Sequence, residues 1–306
     1  MTDAEPIPAG DFARDTDVWP DSEVAGRYHA NLSEAWKVFY VFGGCTMAVA
    51  LRGAQRALGR PELQPVCASA VFASPVPCGA MVVDTDVLRS GRSAAQVTAR
   101  LRHASSEGTD VHLSAIFGAT HATHVDFVDV TYPDDALPVE EAEPPPPPPE
   151  GSPFQRINYH EQTEWLMGSP GFALGDADRW EPGPARTLSW HRLIKEPRLP
   201  DGTLDPIALC APADVLGPAV FARLGPPGPD NPPFLSLSLE ISLQFVAPTT
   251  SAWILQHTQV PVARNGYAFG VVELWDVERR LVALATQRAH IRPVDPARFA
   301  EPAGDA

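Results

Sequence analysis

The stretch YVFGGCTMAVALRGAQRAL, residues 40–58, is an apolar segment of helical length with two adjacent glycines, Gly43 and Gly44, near its beginning. A glycine inside a helix costs about 1 kcal/mol relative to alanine, so the pair needs a physical reason. Its spacing fits neither the G-x-G-x-x-G nor the G-x-x-x-x-G-K-[ST] phosphate-binding loop. The pair therefore indicates the head of a buried helix, where bare backbone allows either close packing or the approach of a ligand.

The composition narrows the classes of protein that this chain can represent. It has 306 residues, 44% of them hydrophobic, and a net charge of -15. The negative charge disfavours a nucleic-acid partner, because phosphate binding relies on clustered Lys and Arg. No apolar run reaches the roughly 20 residues of a membrane span, and the acidic N-terminus lacks the pattern of a secretory signal. Four cysteines without a C-x-x-C pair favour reduced thiols, and we predict a cytoplasmic protein.

Six consecutive prolines interrupt the chain in EEAEPPPPPPEGSP, residues 140–153. Proline cannot donate to a sheet ladder or continue a helix, so this segment favours a stiff polyproline II rod of roughly 19 Å. We predict an N-terminal domain over residues 1–139, a linker over residues 140–153 and a C-terminal domain over residues 154–306.

The two halves show the same order of predicted elements. Each contains one apolar helix, a strand before it and four strands after it. The predicted helices are 33–58, with Ser33 as a candidate N-cap, and 204–224, broken near Gly217; the strands are 26–31, 66–72, 80–88, 95–102, 111–117, 187–193, 234–246, 252–260, 267–275 and 281–291. FASP at 72–75 and FVAP at 245–248 close equivalent strands, which indicates an internal repeat. We predict an α+β fold in which an antiparallel sheet wraps each helix.

Several common catalytic patterns do not occur. There is no G-x-S-x-G elbow for an α/β-hydrolase serine. His121 and His124 have a spacing that allows a shared metal, but no accompanying ligand set supports one, so we expect loop histidines and no metal site. Cys45 stands at the head of the first helix, where a thiol can be activated. Its apolar neighbours favour a small core residue instead.

Five segments together suggest a family: VFGGCTMAVAL at 41–51, FASPVPCG at 72–79, ALCAPADVLGPAVF at 208–221, LSLEISLQFVAP at 237–248 and LVALATQRAHIR at 281–292. In their order and spacing they resemble the acyl-CoA thioesterase II family, the double-hotdog thioesterases. The resemblance covers roughly residues 12–293, apart from the linker. It implies a double hotdog: two repeats, each with a long helix wrapped by an antiparallel sheet.

The resemblance also implies an activity. Members of this family hydrolyse acyl-CoA to free acid and CoA without a metal or a cofactor. They hold a water molecule with an aspartate, a threonine or serine, and a glutamine, while a backbone amide at the hotdog helix polarises the thioester carbonyl. For this chain the resemblance implies an acyl-CoA substrate, a role in lipid metabolism and a possible homo-oligomer formed through the hotdog sheets.

Carried over by motif, the family's glutamine corresponds to Gln287. The aspartate position corresponds to Glu240, whose side chain is one methylene longer. Thr258 is the nearest candidate for the hydroxyl. Asp214, in the helix segment of the second half, is expected to cap or brace that helix.

The remaining candidates concern substrate binding. Gly43 and Gly44 would supply the backbone amides, and Arg89 and Arg92, on the turn after the second strand, are candidate contacts for a CoA phosphate. Each of these residues also has a purely structural interpretation, as a packing glycine or a solvated loop arginine.

Other functions stay open at this point. The Asp-to-Glu departure and the uncertain hydroxyl leave room for a degenerate hotdog protein that binds an acyl-thioester or another apolar ligand without hydrolysing it. A different acyl reaction in a biosynthetic pathway would use the same pocket. A hotdog dehydratase or hydratase is a weaker alternative, because no catalytic His with a partner Asp is evident.

Overall fold

The computed structural model describes residues 7–121, 123–147, 157–169, 181–226 and 231–294. The α-helices in this part of the chain are α1 (Phe12–Asp15), α2 (Gly43–Leu58) and α3 (Leu216–Leu224). Short 3-10 helices cover Glu34–Trp36, Asn158–Gln162 and Pro206–Cys210. The strands are β1 (Trp19–Pro20), β2 (Arg27–Leu32), β3 (Gln64–Phe72), β4 (Gly79–Ser90), β5 (Ala94–His103), β6 (Val111–Gly118), β7 (Thr163–Met167), β8 (Arg186–Leu193), β9 (Phe234–Phe245), β10 (Ile254–Arg264), β11 (Tyr267–Trp275) and β12 (Leu281–Pro293).

All twelve strands form one antiparallel sheet in the order β1-β2-β4-β5-β6-β3-β9-β12-β11-β10-β8-β7. The strands of the first half occupy one side of the sheet, and those of the second half occupy the other. The two sides meet where β3 pairs with β9, with Ser69 opposite Ser242 and their hydroxyl oxygens 2.8 Å apart. The chain therefore forms a large antiparallel sheet with few helices, as the strand patterns predict.

Helix α2 packs against β4, β5 and β6 of the first half. Its side chains Met47, Val49 and Leu51 are fully buried. Burial of a side chain of this size contributes about 1.5–3 kcal/mol, so the apolar stripe of α2 anchors the core of this half. Among the described residues, no helix is both long enough and apolar enough to cross a membrane.

The first helix begins later than the sequence predicts. Ser33 caps the short 3-10 helix Glu34–Trp36 by accepting a hydrogen bond from the Ala35 amide, and α2 starts only at Gly43. Between the two, the Phe42 amide donates to the Trp36 carbonyl at 2.9 Å. This turn redirects the chain, so the glycine pair forms the true N-terminus of α2.

The second predicted helix, 204–224, also divides differently. Residues 206–210 form a 3-10 helix, and α3 starts at Leu216. The break lies at residues 211–215 rather than at Gly217 and Pro218. Pro218 instead occupies the first turn of α3, where its missing N–H leaves no intrahelical bond unmade. The break places Asp214 immediately before the start of α3.

A strap, residues 130–143, covers the outer face of the sheet in the second half. Its apolar side chains pack against a buried cluster that includes Trp190 and Trp275. The Trp190 Nε1 donates to the carbonyl of Leu137 at 2.9 Å, and the amide of Met167 donates to the carbonyl of Glu143 at 2.7 Å. Much of the strap belongs to the predicted N-terminal domain, but its contacts are with the second half. Part of the predicted linker, residues 148–153, lies outside the described residues.

Candidate active site

Three polar side chains from separate elements of the second half meet at one point. Asp214 precedes α3, Ser238 lies on β9 and Gln287 lies on β12. The Ser238 hydroxyl donates to the Asp214 Oδ1 at 2.6 Å. The Gln287 Nε2 donates to the same Oδ1 at 2.6 Å and to the Ser238 Oγ at 2.8 Å. The result is a connected group of one carboxylate, one hydroxyl and one amide.

The orientation of the Gln287 amide is fixed from its other side. The backbone N–H of Leu216 donates to the Gln287 Oε1 at 3.0 Å. Leu216 is the first residue of α3, and the N–H groups of a first helical turn have no partner within their own helix. The free amide of α3 therefore holds the Oε1, and the NH2 group faces Asp214 and Ser238.

A β-bulge brings Ser238 to the same face of the sheet as Gln287. Glu240 pairs with Arg288, whereas Ser238 pairs with the next residue of β12, Ala289, so Leu239 is an extra residue in β9. Side chains normally alternate between the two faces of a strand. The extra residue breaks this alternation, because two residues of one strand then oppose one residue of the other. Ser238 consequently lies beside Gln287, while Glu240 lies on the opposite face.

The N-terminus of α2 completes the group from the first half of the chain. The Gly44 amide donates to the Asp214 Oδ2 at 3.0 Å. A Cβ on Gly44 would meet the carbonyl oxygen of Cys210 and lie 2.8 Å from the Cα of Ala211. A Cβ on Gly43 would lie 2.5 Å from the Asp214 Oδ2. Both glycines are thus needed for the close approach of the helix to the segment before α3.

The buried Asp214 carboxyl has a perturbed acidity. Burial raises its pKa above the ordinary value, and the hydrogen bonds from Ser238, Gly44 and Gln287 oppose this rise. A carboxylate offers about four acceptor positions, and the three hydrogen bonds leave one for a further donor. The side chain therefore combines an elevated proton affinity with one acceptor position that is left for a further donor.

A cavity of about 390 Å³ opens beside this group and is lined by Asp214, Ser238, Gln287 and Gly43. Its wall is rich in aromatic side chains, which come from both halves of the chain: Phe39, Tyr40, Phe42, Phe72, Tyr159, His160, Trp165, Phe221 and Phe234. The Phe42 and Tyr159 rings stack with their centroids 4.1 Å apart. Ligand sites are typically apolar clefts of this size with a few convergent polar groups.

The structure brings together three residues that the sequence places in the site, Gln287, Gly43 and Gly44, and separates two others from them. Glu240 pairs across the sheet with Arg288, on the face opposite to Gln287. Thr258 lies on β10, two strands from β12, and is fully buried. Neither Glu240 nor Thr258 is among the described residues that line the cavity.

The candidate CoA contacts, Arg89 and Arg92, lie far from the group formed by Asp214, Ser238 and Gln287. They belong to the hairpin between β4 and β5, and the Arg92 carbonyl accepts a hydrogen bond from the Arg60 Nη2 at 3.0 Å. Arg60 follows the C-terminus of α2 by two residues. A 16-residue helix is about 24 Å long, so the hairpin and the glycine pair are at opposite ends of α2.

Asp214 and Ser238 are the two functional candidates that sequence reasoning did not place in the site. Asp214 has a sequence signal, since it lies in the family-like segment 208–221, but its local sequence predicts only a helix cap. Ser238 carried none, because the alternating sequence LSLSLEISLQF gives no sign of a bulge.

Two further sequence candidates have structural roles or exposed positions. Cys45 is fully buried in the core, and burial raises the pKa of its thiol well above the ordinary value. It is therefore a core residue rather than an activated thiolate. His121 and His124 are exposed in the segment that follows β6.

Comparisons with known proteins find related domains in both halves of the chain. A sequence model described as the acyl-CoA thioesterase N-terminal domain matches residues 32–120, and one described as the acyl-CoA thioesterase C-terminal domain matches residues 133–291. No curated protein matches the chain at a significant level.

Solved structures resemble the chain over nearly its whole length. A protein from Novosphingobium aromaticivorans, provisionally described as a thioesterase, is 24% identical with a TM-score of 0.68, over 89% of this chain and 97% of its own. A hot dog fold protein from Alicyclobacillus acidocaldarius is 18% identical with a TM-score of 0.71, over 93% of this chain and 98% of its own. The acyl-CoA thioesterase II of Mycobacterium marinum is 19% identical with a TM-score of 0.63, over 93% and 98%.

At these identities the structural likeness shows the fold alone, which is that of the hotdog proteins. The two domain matches identify the family, because the C-terminal match by itself spans more than half of the 306 residues. The chain belongs to the acyl-CoA thioesterase family.

Proposed function

We propose that the protein is an acyl-CoA thioesterase that releases a free carboxylic acid and CoA by the attack of water. The observation that carries this proposal is the convergence of Ser238, Gln287 and the Gly44 amide on the carboxylate of Asp214. The set contains one aspartate, one hydroxyl and one glutamine, the combination that the family resemblance implies. In this proposal Asp214 and Ser238 replace Glu240 and Thr258, and Gln287, Gly43 and Gly44 keep the roles that the sequence suggests.

Asp214 is proposed to act as the general base. Its remaining acceptor position would take a hydrogen bond from water, and its raised proton affinity favours the transfer of a water proton to the carboxylate. Ser238 donates its own proton to Asp214 and accepts one from Gln287, so these two side chains hold the carboxylate in place. The fixed amide of Gln287 would hold the water from the other side.

The N-terminus of α2 is proposed to polarise the thioester carbonyl. The amide of Gly43 lines the cavity and has no acceptor among the described residues. It also stands at the positive end of the helix dipole, where a developing negative charge on an oxygen is stabilised. The absence of a Cβ lets the carbonyl oxygen come close to this amide.

The proposed reaction balances without a further reactant. The water oxygen forms a bond to the thioester carbon as Asp214 takes one water proton. The carbon–sulfur bond then breaks, and the electron pair leaves on the CoA sulfur. The proton held by Asp214 passes to that sulfur, which restores the carboxylate and gives free CoA and a carboxylic acid.

We also propose that the chain is a double hotdog built from two repeats. From one edge of the sheet to its centre, the strands of the first half follow the order β1-β2-β4-β5-β6-β3. From the other edge, the strands of the second half follow the equivalent order, β7-β8-β10-β11-β12-β9. The strap contacts the second half, which supports a boundary between the repeats after β6 and before residue 130 rather than at the proline run. The oligomeric state and the cytoplasmic location stay predictions.

The test is the release of CoA, followed with a thiol reagent, from acyl-CoA substrates of several chain lengths. Two carboxylate variants form a matched pair: Asp214→Asn and Glu240→Gln. We expect Asp214→Asn to lose about 10²-fold or more of kcat, because the base is removed. Glu240→Gln should keep wild-type activity, since Glu240 lies on the other face of β9.

Three outcomes would contradict the proposal. If Glu240→Gln is inactive and Asp214→Asn is active, the base is Glu240. If both variants are active, the site is elsewhere. If folded wild-type protein binds acyl-CoA but releases no CoA at any chain length, the protein is a binding protein.

A further inference from the structure

The cavity continues past Asp214 along α3 to a pair of stacked aromatic rings. Phe221 lies on α3 and Phe234 begins β9, and their ring centroids are 4.1 Å apart with an interplanar angle of 16°. Both residues line the cavity. We propose that this pair closes the acyl-binding end and limits the substrate to medium-chain acyl groups. This inference rests on the proposed thioesterase function.

The direction of the acyl chain follows from the two ends of the cavity. The end beside α3 is formed by Leu216, Phe221 and Phe234, and Phe234 is only 4% exposed. Tyr40, in the segment before α2, also lines the cavity and is 49% exposed. An apolar chain gains free energy by leaving water, so the acyl group occupies the α3 end. The polar CoA portion then leaves past Tyr40.

The stacked pair packs against a buried apolar cluster of the second half. Phe234 belongs to a buried cluster with Leu216, Val220, Val260 and Ala289, and Phe221 packs against the same cluster. Protein interiors are close-packed, so a longer chain cannot pass without displacing these side chains.

The depth of the acyl-binding end of the cavity follows from the residue spacings along α3 and β9, which flank it. Phe221 is five residues beyond Leu216 on α3, which is about 7.5 Å at a rise of about 1.5 Å per residue. Phe234 is four residues from Ser238 on β9, which is about 13 Å at about 3.3 Å per residue. An extended alkyl chain advances about 1.25 Å per carbon, given C–C bonds of about 1.52 Å and tetrahedral angles. The end therefore accommodates about six to ten carbons beyond the carbonyl.

A larger side chain at Gly217 should shorten the acyl chain that the cavity accepts. It lines the same end of the cavity, between Asp214 and Phe221. A Cβ at this position would lie 3.4 Å from the Cβ of Ser236, an ordinary van der Waals contact. An alanine or valine side chain here would therefore narrow the passage without a clash against the backbone.

The experiment compares kcat/KM for the series from hexanoyl-CoA to hexadecanoyl-CoA. For the wild type we expect a maximum near eight to ten carbons and a fall of about tenfold or more by tetradecanoyl-CoA, since one misplaced methylene alone is worth about 10–200-fold. Phe221→Ala and Phe234→Ala should move this fall to chains longer by about four carbons. Gly217→Val should move it to shorter chains, with Gly217→Ala intermediate.

Phe269→Ala is the matched control. Phe269 lies on β11 of the same half, is partly exposed beneath Arg288 and does not line the cavity, so its variant should keep the wild-type profile. A wild-type profile that stays flat to hexadecanoyl-CoA, or a limit that does not move in the Phe221 and Phe234 variants, overturns the inference.

Calorimetric binding of the same series separates this inference from the proposed hydrolysis. If no CoA is released but affinity falls beyond ten carbons and the fall moves in the variants, the chain-length limit holds while the hydrolase proposal fails. If CoA is released and neither rate nor affinity depends on the phenylalanine pair, hydrolysis stands and the limit is wrong.

Discussion

The backbone N–H of Leu216 donates to the Oε1 of Gln287 at 3.0 Å, and this single bond decides which end of the amide faces the carboxylate. With the Oε1 held by α3, the NH2 group donates to both Asp214 and Ser238. The start of one helix thereby orients a side chain that is 71 residues away in the sequence.

Replacement of Gln287 by alanine should impair both activity and stability. We expect kcat to fall by about 10²-fold, because the water loses a positioning group. The free energy of unfolding should fall by about 1–3 kcal/mol, since the buried amide of Leu216 loses its acceptor. CoA release and urea unfolding measure the two effects.

Gln244→Ala provides the control, because Gln244 is an exposed glutamine on the neighbouring strand β9. It should leave both quantities close to those of the wild type. Full activity in Gln287→Ala would exclude a role for this amide in holding water.

The pH dependence of activity should reflect the raised pKa of Asp214. The proposed base works only when ionised, so kcat/KM should fall on acidification, with a midpoint above 3.8, the ordinary value for aspartate. The effect on stability has the opposite sign. A carboxyl with a raised pKa in the folded protein stabilises the fold below its unfolded pKa, and this contribution is lost as the pH rises through the folded pKa.

Measurements of kcat/KM across acidic and neutral pH test the predicted fall of activity on acidification. Measurements of the unfolding free energy over the same range test the predicted loss of stability as the pH rises. The Asp214→Ala variant should lose this part of the stability profile. An activity midpoint at or below 3.8 would be inconsistent with the buried carboxyl acting as the base.

Gly44→Ala should destabilise the protein. The added methyl group would collide with the backbone of residues 210–211, which cannot move as a flexible side chain can. Overpacking of this kind costs about 1–3 kcal/mol, and the displaced helix end should also lower activity. Gly108→Ala is the control, because a Cβ there meets nothing within 4 Å. Equal midpoints of thermal unfolding for the two variants would contradict the tight packing at Gly44.

Arg52→Met should be strongly destabilising. Arg52 of α2 forms an ion pair with Asp205, and their side chains are only 13% and 7% exposed. Removal of one partner leaves a buried charge without compensation, which costs about 3–5 kcal/mol. Arg56→Met, one turn later, breaks an exposed pair with Asp17 and should change stability by less than about 1 kcal/mol. Urea unfolding that ranks the two variants in the reverse order would refute this assignment.

Ten of the twelve strands in the described part of the chain are predicted from the sequence, since their side chains alternate between a buried and an exposed face, whereas the short edge strands β1 and β7 are missed. The prediction of 267–275 coincides with β11, and that of 234–246 ends one residue beyond β9. Helix starts were less accurate. The apolar pattern of the first helix continues back through residues 33–42, where tertiary contacts form a turn instead.

The candidate site could be predicted only in part. The sequence motifs place Gln287 and the glycine pair in the site, and the structure brings these residues together. The motif places the carboxylate at Glu240, which lies on the face of β9 opposite to Gln287, and the bulge at Leu239, which no glycine or proline marks, brings Ser238 to the face of Gln287 instead. The local sequence predicts a helix cap at Asp214, whereas the contact of Asp214 with Gly44 spans 170 residues. Contacts at such separations depend on how the halves pack.

The central pairing of β3 with β9 determines how the chain can be divided. In an isolated half, β3 or β9 would become an edge strand with unpaired N–H and C=O groups, which promotes aggregation. Neither half alone would contain both the glycine amides and the carboxylate. We expect that two fragments, divided near residue 125, regain function only when they are produced together and β3 of one fragment pairs with β9 of the other.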